Sequence, residues 1–257
     1  MQNRYAGDIG DFSKFGLLRA IFPDSRLGII WYLVSDESHN KDGRHIDYLK
    51  KTEFRICDSE LFDKLNSLIR TGHRSVEHLQ QLKLLYNAVF FPNILPYDGT
   101  SANSEAGQRQ RLSIRRKWLD NALQASFNCE ALFLDPDNGL ETKSVVKHSE
   151  SAIKYVFMDE LREFTKICPC VAVYQHFSRQ GKHSEQIQGR VKLLWGCFGE
   201  THRIFALKFK RYSPRAYFLL IRKEKADYIK SKLEMFIRST WCRCFDEQVY
   251  SRESQPF

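Results

Sequence analysis

The 257-residue sequence predicts an α/β protein with a doubly wound, mainly parallel sheet, a helical insertion and a C-terminal antiparallel hairpin, in one domain. Three observations predict it. Nearly unbroken apolar runs recur at residues 27–34, 130–134 and 170–174, the pattern of strands covered on both faces. Helical periodicity fills much of the chain between and after them. Two further runs, 204–209 and 216–221, are separated only by a polar turn at Ser213-Pro214, which reads as a hairpin.

The first element is a helix over about residues 12–22, with Asp11 as N-cap, apolar Phe12, Phe15 and Leu18 on one face, and Pro23 as its stop. The strand at 27–34 then exits through polar residues 35–44, including Ser35, Asp36, Glu37, His39, Asn40, Asp42 and Gly43. Open α/β sheets bind ligands at that edge. Residues 46–123 read as mainly helical, either crossover helices or an inserted subdomain, broken by Pro92, Pro96 and Gly99. The strand at 130–134 must end at Asp135-Pro136-Asp137-Asn138-Gly139, because proline cannot extend a ladder and glycine tolerates a tight turn. A helix at 155–166, the strand at 170–174 with its exit through His176, and a helix at 185–195 complete the order before the hairpin. No repeat and no Gly/Ser linker divides residues 1–257, which favours one embellished domain over two.

With 42% hydrophobic and 13% aromatic residues the chain is not a disordered protein. It holds no apolar run of about 18 residues, and residues 1–8 lack a secretory or transit pattern, so a cytoplasmic protein without a membrane partner is expected. Seven cysteines, an odd number, suit a reducing compartment. Cys168 and Cys170, like Cys242 and Cys244, are separated by a single residue. Structural zinc pairs usually leave roughly two to four, so inert thiols and no metal are expected there.

Lys and Arg outnumber Asp and Glu by 40 to 31, a formal +9, which favours an anionic partner. Arg109, Arg111, Arg115, Arg116 and Lys117 crowd one segment, and Lys208, Lys210, Arg211 and Arg215 another. These clusters are either a phosphate-binding surface for nucleic acid or solvated faces of a helix and a hairpin.

The turn after 130–134 carries most of the chemistry, and three readings of it stay open. Asp135 beside proline can accept a hydrogen bond from an amine and orient it toward a methyl donor. Asp135, Asp137 and Glu141 offer hard oxygen ligands for magnesium, as in phosphoryl transfer. In the third reading the two carboxylates only form Asx-turns and cap a helix. His176, at the end of the neighbouring strand between aromatics, suits acid/base work or base stacking, or is simply satisfied by a carbonyl.

The order of elements, with an Asp-Pro exit in mid-chain and a terminal hairpin, resembles the S-adenosylmethionine-dependent methyltransferase fold. Residues 5–15, Tyr-Ala-Gly-Asp-Ile-Gly-Asp-Phe-Ser-Lys-Phe, are similar to the opening His-Ala-Gly-Asn-His-Ala-Asp-x-x-Lys-His of bacterial large-subunit ribosomal RNA adenine-N6 methyltransferases, with Ala6, Gly7, Asp11 and Lys14 in register. The resemblance implies Lys14 near the methyl donor and Asp135 at the target amine. It also departs from the family: residues 35–43 hold one glycine where a glycine-rich loop is expected, and Asp137 and Asn138 replace the second proline and the stacking aromatic of the catalytic turn.

The leading expectation is therefore a nucleic-acid methyltransferase binding S-adenosylmethionine through Lys14, Asp11, Ser35, Asp36 and Asp42, with Asp135, Asp137 and His176 as catalytic candidates. The alternatives are a magnesium-dependent nuclease or phosphodiesterase built on Asp135 and Asp137, and a non-catalytic nucleic-acid-binding relative.

Overall fold

The computed structural model describes residues 1–36, 43–246 and 249–251. The strands are β1 (Leu27–Ile30), β2 (Ala88–Phe91), β3 (Ala131–Leu134), β4 (Gly139–Leu140), β5 (Tyr155–Val156), β6 (Cys170–His176), β7 (His202–Phe209), β8 (Arg215–Arg222) and β9 (Tyr250–Ser251). The helices are α1 (Ile9–Ile21), α2 (Thr52–Arg55), α3 (Ser59–Thr71), α4 (Val76–Gln81), α5 (Glu105–Ala125), α6 (Met158–Ile167), α7 (His183–Phe198) and α8 (Lys223–Arg238).

Among the described residues seven strands form one sheet in the order β2-β1-β3-β6-β8-β7-β9, and β4 pairs separately with β5. β1 runs parallel to β2 and β3, and β3 runs parallel to β6. β8 is antiparallel to both β6 and β7, so it is a reversed strand inserted between two that run the same way. This is a doubly wound, methyltransferase-like sheet, parallel in its core and closed by the hairpin.

Period-two alternation sends side chains to two cores. Leu27, Ile29, Ala131, Phe133, Tyr217 and Leu219 pack with α1, α3 and α8 on one face. Ile30, Leu132, Leu134, Val171, Val173 and Phe218 pack with α5, α6 and α7 on the other. Phe133 and Leu134 are both fully buried, and each such side chain contributes about 1.5–3 kcal/mol of apolar burial. That two-sided burial is why these strands read as apolar runs.

Several elements differ from their expected form. Asp8, not Asp11, caps α1, its Oδ1 accepting from the amides of Gly10 and Asp11. β1 stops at Ile30 because Tyr32 takes φ 44°, which turns the chain out of the ladder four residues early. The stretch 46–123 contains β2, a strand of the main sheet, and α5 runs on to Ala125. α8, which packs beside α1, follows the hairpin and had no expected counterpart.

The first basic cluster also divides. Arg111 and Arg115 point inward: Arg115, 1% exposed, forms a bidentate pair with buried Glu160 at 2.5 and 2.9 Å and donates to the Ala152 and Tyr155 carbonyls. Arg111 is spent on Thr100 and the His148 carbonyl. Only Arg109, Arg116 and Lys117 of that cluster face solvent, and the first two pair with Glu105 and Asp120 one turn along the helix. A buried guanidinium needs carboxylate and carbonyl partners, so Arg111 and Arg115 serve the core and not a phosphate-binding surface.

Among the described residues no helix is long and apolar enough to cross a membrane. The seven cysteines are free. Burial pushes the Cys168 and Cys170 thiols up to about 12 and about 11, in keeping with inert side chains.

Candidate functional site

The carboxyl ends of β3 and β6 and the start of β8 meet the first turn of α1 around a cavity of about 540 Å³. Lys14, Asp11, Asp135, Asp137 and His176 all line it, with Asp8, Lys154, Arg179 and Arg215. Ser35 and Asp36 are exposed and absent from its lining; the Asp36 carboxylate instead accepts from the Arg4 amide at 3.2 Å. Both leave the shared site because the chain turns away after Ile30. Asp42 lies outside the described residues.

The Asp-Pro turn is held by backbone and by one side chain. The Asp135 amide donates to the Ile30 carbonyl at 2.9 Å, and the Asn138 amide to the Lys154 carbonyl at 3.0 Å. Gln175 clamps the far end: its Oε1 accepts from the Leu140 amide, and its Nε2 donates to the Asn138 carbonyl, both at 3.0 Å. Gly139 sits at φ 106°, and a Cβ there would meet the Gln175 carboxamide at 2.5 Å, so only glycine fits this turn.

Lys14 ties the turn to α1. Its Nζ lies 2.5 Å from Asp135 Oδ2 and 2.8 Å from Asp11 Oδ1, with all three groups buried. Burial works against the lysine charge, but the two aspartates outweigh it and hold its pKa above the ordinary value. Burial likewise pushes the Asp11 carboxyl up to about 6, against the pull of Lys14. Asp135 Oδ1 has no hydrogen-bond partner among the described residues, nor has Asp8 Oδ2. Each belongs to a side chain that lines the cavity.

Asp137 is occupied differently. The Met1 ammonium lies 2.8 Å from its Oδ1, and Gln2 Nε2 donates to its Oδ2 at 2.6 Å. Burial alone would raise its pKa; that ammonium outweighs burial and holds it below the usual carboxylate range. The same ammonium donates to the Trp31, Tyr32 and Asp135 carbonyls, each at 3.1 Å. Glu141, the third oxygen of the magnesium set, accepts from the Met158 amide at 2.7 Å and lines a neighbouring cavity. The three oxygens do not converge, and among the described residues no group of three His, Cys, Asp or Glu has a metal-holding arrangement.

That neighbouring cavity, about 970 Å³, is bordered by Tyr155, Met158, Phe177 and Leu193 and shares Asn138 and His176 with the first. His176 therefore stands between the two spaces, at the end of β6, its amide donating to the Asn138 carbonyl at 3.3 Å.

Arg215 belongs to the site, where sequence reading had grouped it with the surface charges. It is 6% exposed, at the first position of β8. An arginine directly after Ser213-Pro214 and directly before an apolar strand was the available signal. No protein-family model matches the chain, and no curated protein matches it.

Proposed function

We propose that the protein transfers a methyl group from S-adenosylmethionine to an amine of a nucleotide or nucleic acid, with Asp135 receiving the hydrogen bond of that amine. One observation carries the reading: Asp135 lines a cavity and is fixed through Oδ2 by Lys14, while its Oδ1 has no hydrogen-bond partner among the described residues. An anchored carboxylate with one open oxygen can orient an N–H donor without reorganising. The doubly wound sheet with its Asp-Pro exit supports it, since open α/β sheets hold ligands at their carboxyl edge.

The lining also fits the donor. A sulfonium-bearing amino acid is cationic at sulfur and nitrogen, and Asp8, which lines the cavity, has one carboxylate oxygen without a partner among the described residues. The cavity lies within the range of roughly 300–1,000 Å³ common for small-molecule sites. When bound, S-adenosylmethionine supplies an electrophilic methyl group. The chain itself supplies Asp135 to orient the amine, Lys14 to hold Asp135, and the adjoining cavity to shelter a planar apolar group.

Calorimetry tests this. S-adenosylmethionine should bind to the full-length protein, and magnesium alone should give no heat. Magnesium binding without S-adenosylmethionine binding would replace the reading with metal-dependent phosphodiester chemistry.

A further inference from the structure

Arg215 is buried, yet no carboxylate within the described residues pairs with it. Its Nε donates to the Ser213 carbonyl at 2.9 Å, which leaves both terminal nitrogens without a hydrogen-bond partner among the described residues. The guanidinium carbon lies 5.8 Å from the ring centres of both Tyr174 and Phe209. On the α1 side it rests against Gly10: a Cβ at that glycine would fall 2.0 Å from Nη1. The head group is thus held by a carbonyl, two rings and a bare backbone, and it lines the cavity.

A guanidinium taken out of water loses its hydration and ordinarily recovers it by bidentate pairing with a carboxylate or phosphate. Arg115 in this same chain is paired in that way with Glu160. Arg215 has the burial without an ion pair among the described residues. Arg179 lines the same cavity; of its carboxylates, Asp11 and Asp135 are held by Lys14 and Asp137 by the Met1 ammonium, while Asp8 acts on Arg215 through space without forming an ion pair with it.

We propose that Arg215 anchors a phosphate group of the acceptor, assisted by Arg179, and that the acceptor is therefore a phosphate-bearing nucleotide. This names the acceptor class for the reaction proposed above and rests on that reading for its chemistry. The anchor itself rests on geometry alone. The phosphate comes from a free nucleotide or from a single-stranded backbone; both present the same oxyanion to the fork.

The test is calorimetric binding of AMP, adenosine and a single-stranded oligoadenylate, with no methyl donor present. AMP or the oligoadenylate should bind, with adenosine weaker by about 10- to 100-fold, the worth of charge-assisted hydrogen bonds. Binding of AMP identifies a free nucleotide; binding of the oligoadenylate alone identifies a backbone. Arg215→Gln should erase the preference for phosphate. Gly10→Ala should weaken it by pushing the guanidinium aside with its charge intact, and exposed Arg179→Ala should weaken it in a scaffold that keeps its fold. Equal binding of AMP and adenosine, or a preference unchanged in all three variants, overturns the proposal. So does loss of S-adenosylhomocysteine affinity alone in Arg215→Gln, which would assign the fork to the donor carboxylate. Phosphate-dependent binding with no S-adenosylmethionine binding would retain the anchor and remove methyl transfer.

Discussion

Lys14 Nζ lies 2.5 Å from Asp135 Oδ2, joining the first helix to a strand exit 121 positions later. With Asp11 on the same ammonium, one buried cation bridges two carboxylates whose side chains both line the cavity. The relationship makes stability and the proposed chemistry depend on the same charge.

Lys14→Met should leave both carboxylates buried and uncompensated, at a cost of about 3–5 kcal/mol in urea unfolding. Adding Asp11→Asn should recover part of that loss. A single variant within about 1 kcal/mol of the parent would show that the pair carries little.

The Asp11 carboxyl, pushed up from 3.8 to about 6 by burial against the opposing Lys14 charge, gives a signed pH dependence. The folded state holds a proton that the unfolded chain releases between those values, so this contribution is fully present below 3.8 and lost as pH rises through about 6. Relative to the parent, Asp11→Asn should therefore be more stable at pH 7 than at pH 4, by about 2 kcal/mol. The same offset at both pH values would refute the assignment.

Arg115 and Arg116 are neighbours with opposite roles. Among the described residues Arg115→Ala leaves buried Glu160 with only Lys147 at 3.4 Å and the Phe157 amide at 3.3 Å, and should destabilise by about 3 kcal/mol, whereas Arg116→Ala on the exposed face should stay within about 0.5 kcal/mol. Thermal unfolding distinguishes them. Equal, small effects would place both side chains at the surface.

Asp135→Asn should abolish transfer of labelled methyl groups, because the amine loses its carboxylate acceptor and Lys14 loses a partner. Asp137→Asn should lower stability and leave a measurable rate, since its oxygens already serve Met1 and Gln2. Equal loss of activity in both variants, restored by magnesium, would return the metal reading.

The parallel core was legible because two-sided burial writes apolar runs directly into the sequence, as in Ala131–Leu134. β2 escaped because Ala88–Phe91 is only partly buried at the sheet margin and sits among helical segments. Asp135, Lys14 and His176 could be located from strand exits and a short motif. Asp8 could not be separated from Asp11 as a cap, since both precede apolar helical residues and only the backbone decides. Arg111, Arg115 and Arg215 misled because charge clustering along a chain says nothing about direction: a helix sends positions 111 and 115 to one side and 116 to the other.

The reversed strand β8 is made after β7, yet it lies between β7 and β6. During synthesis β6 therefore keeps an unpaired edge, and β7 has no neighbour to join, until eight late residues emerge. Those residues begin with Arg215. A nascent chain halted before them holds a half-sheet with an adhesive margin and an incomplete cavity, so premature termination yields an aggregation hazard and not a weaker version of the protein.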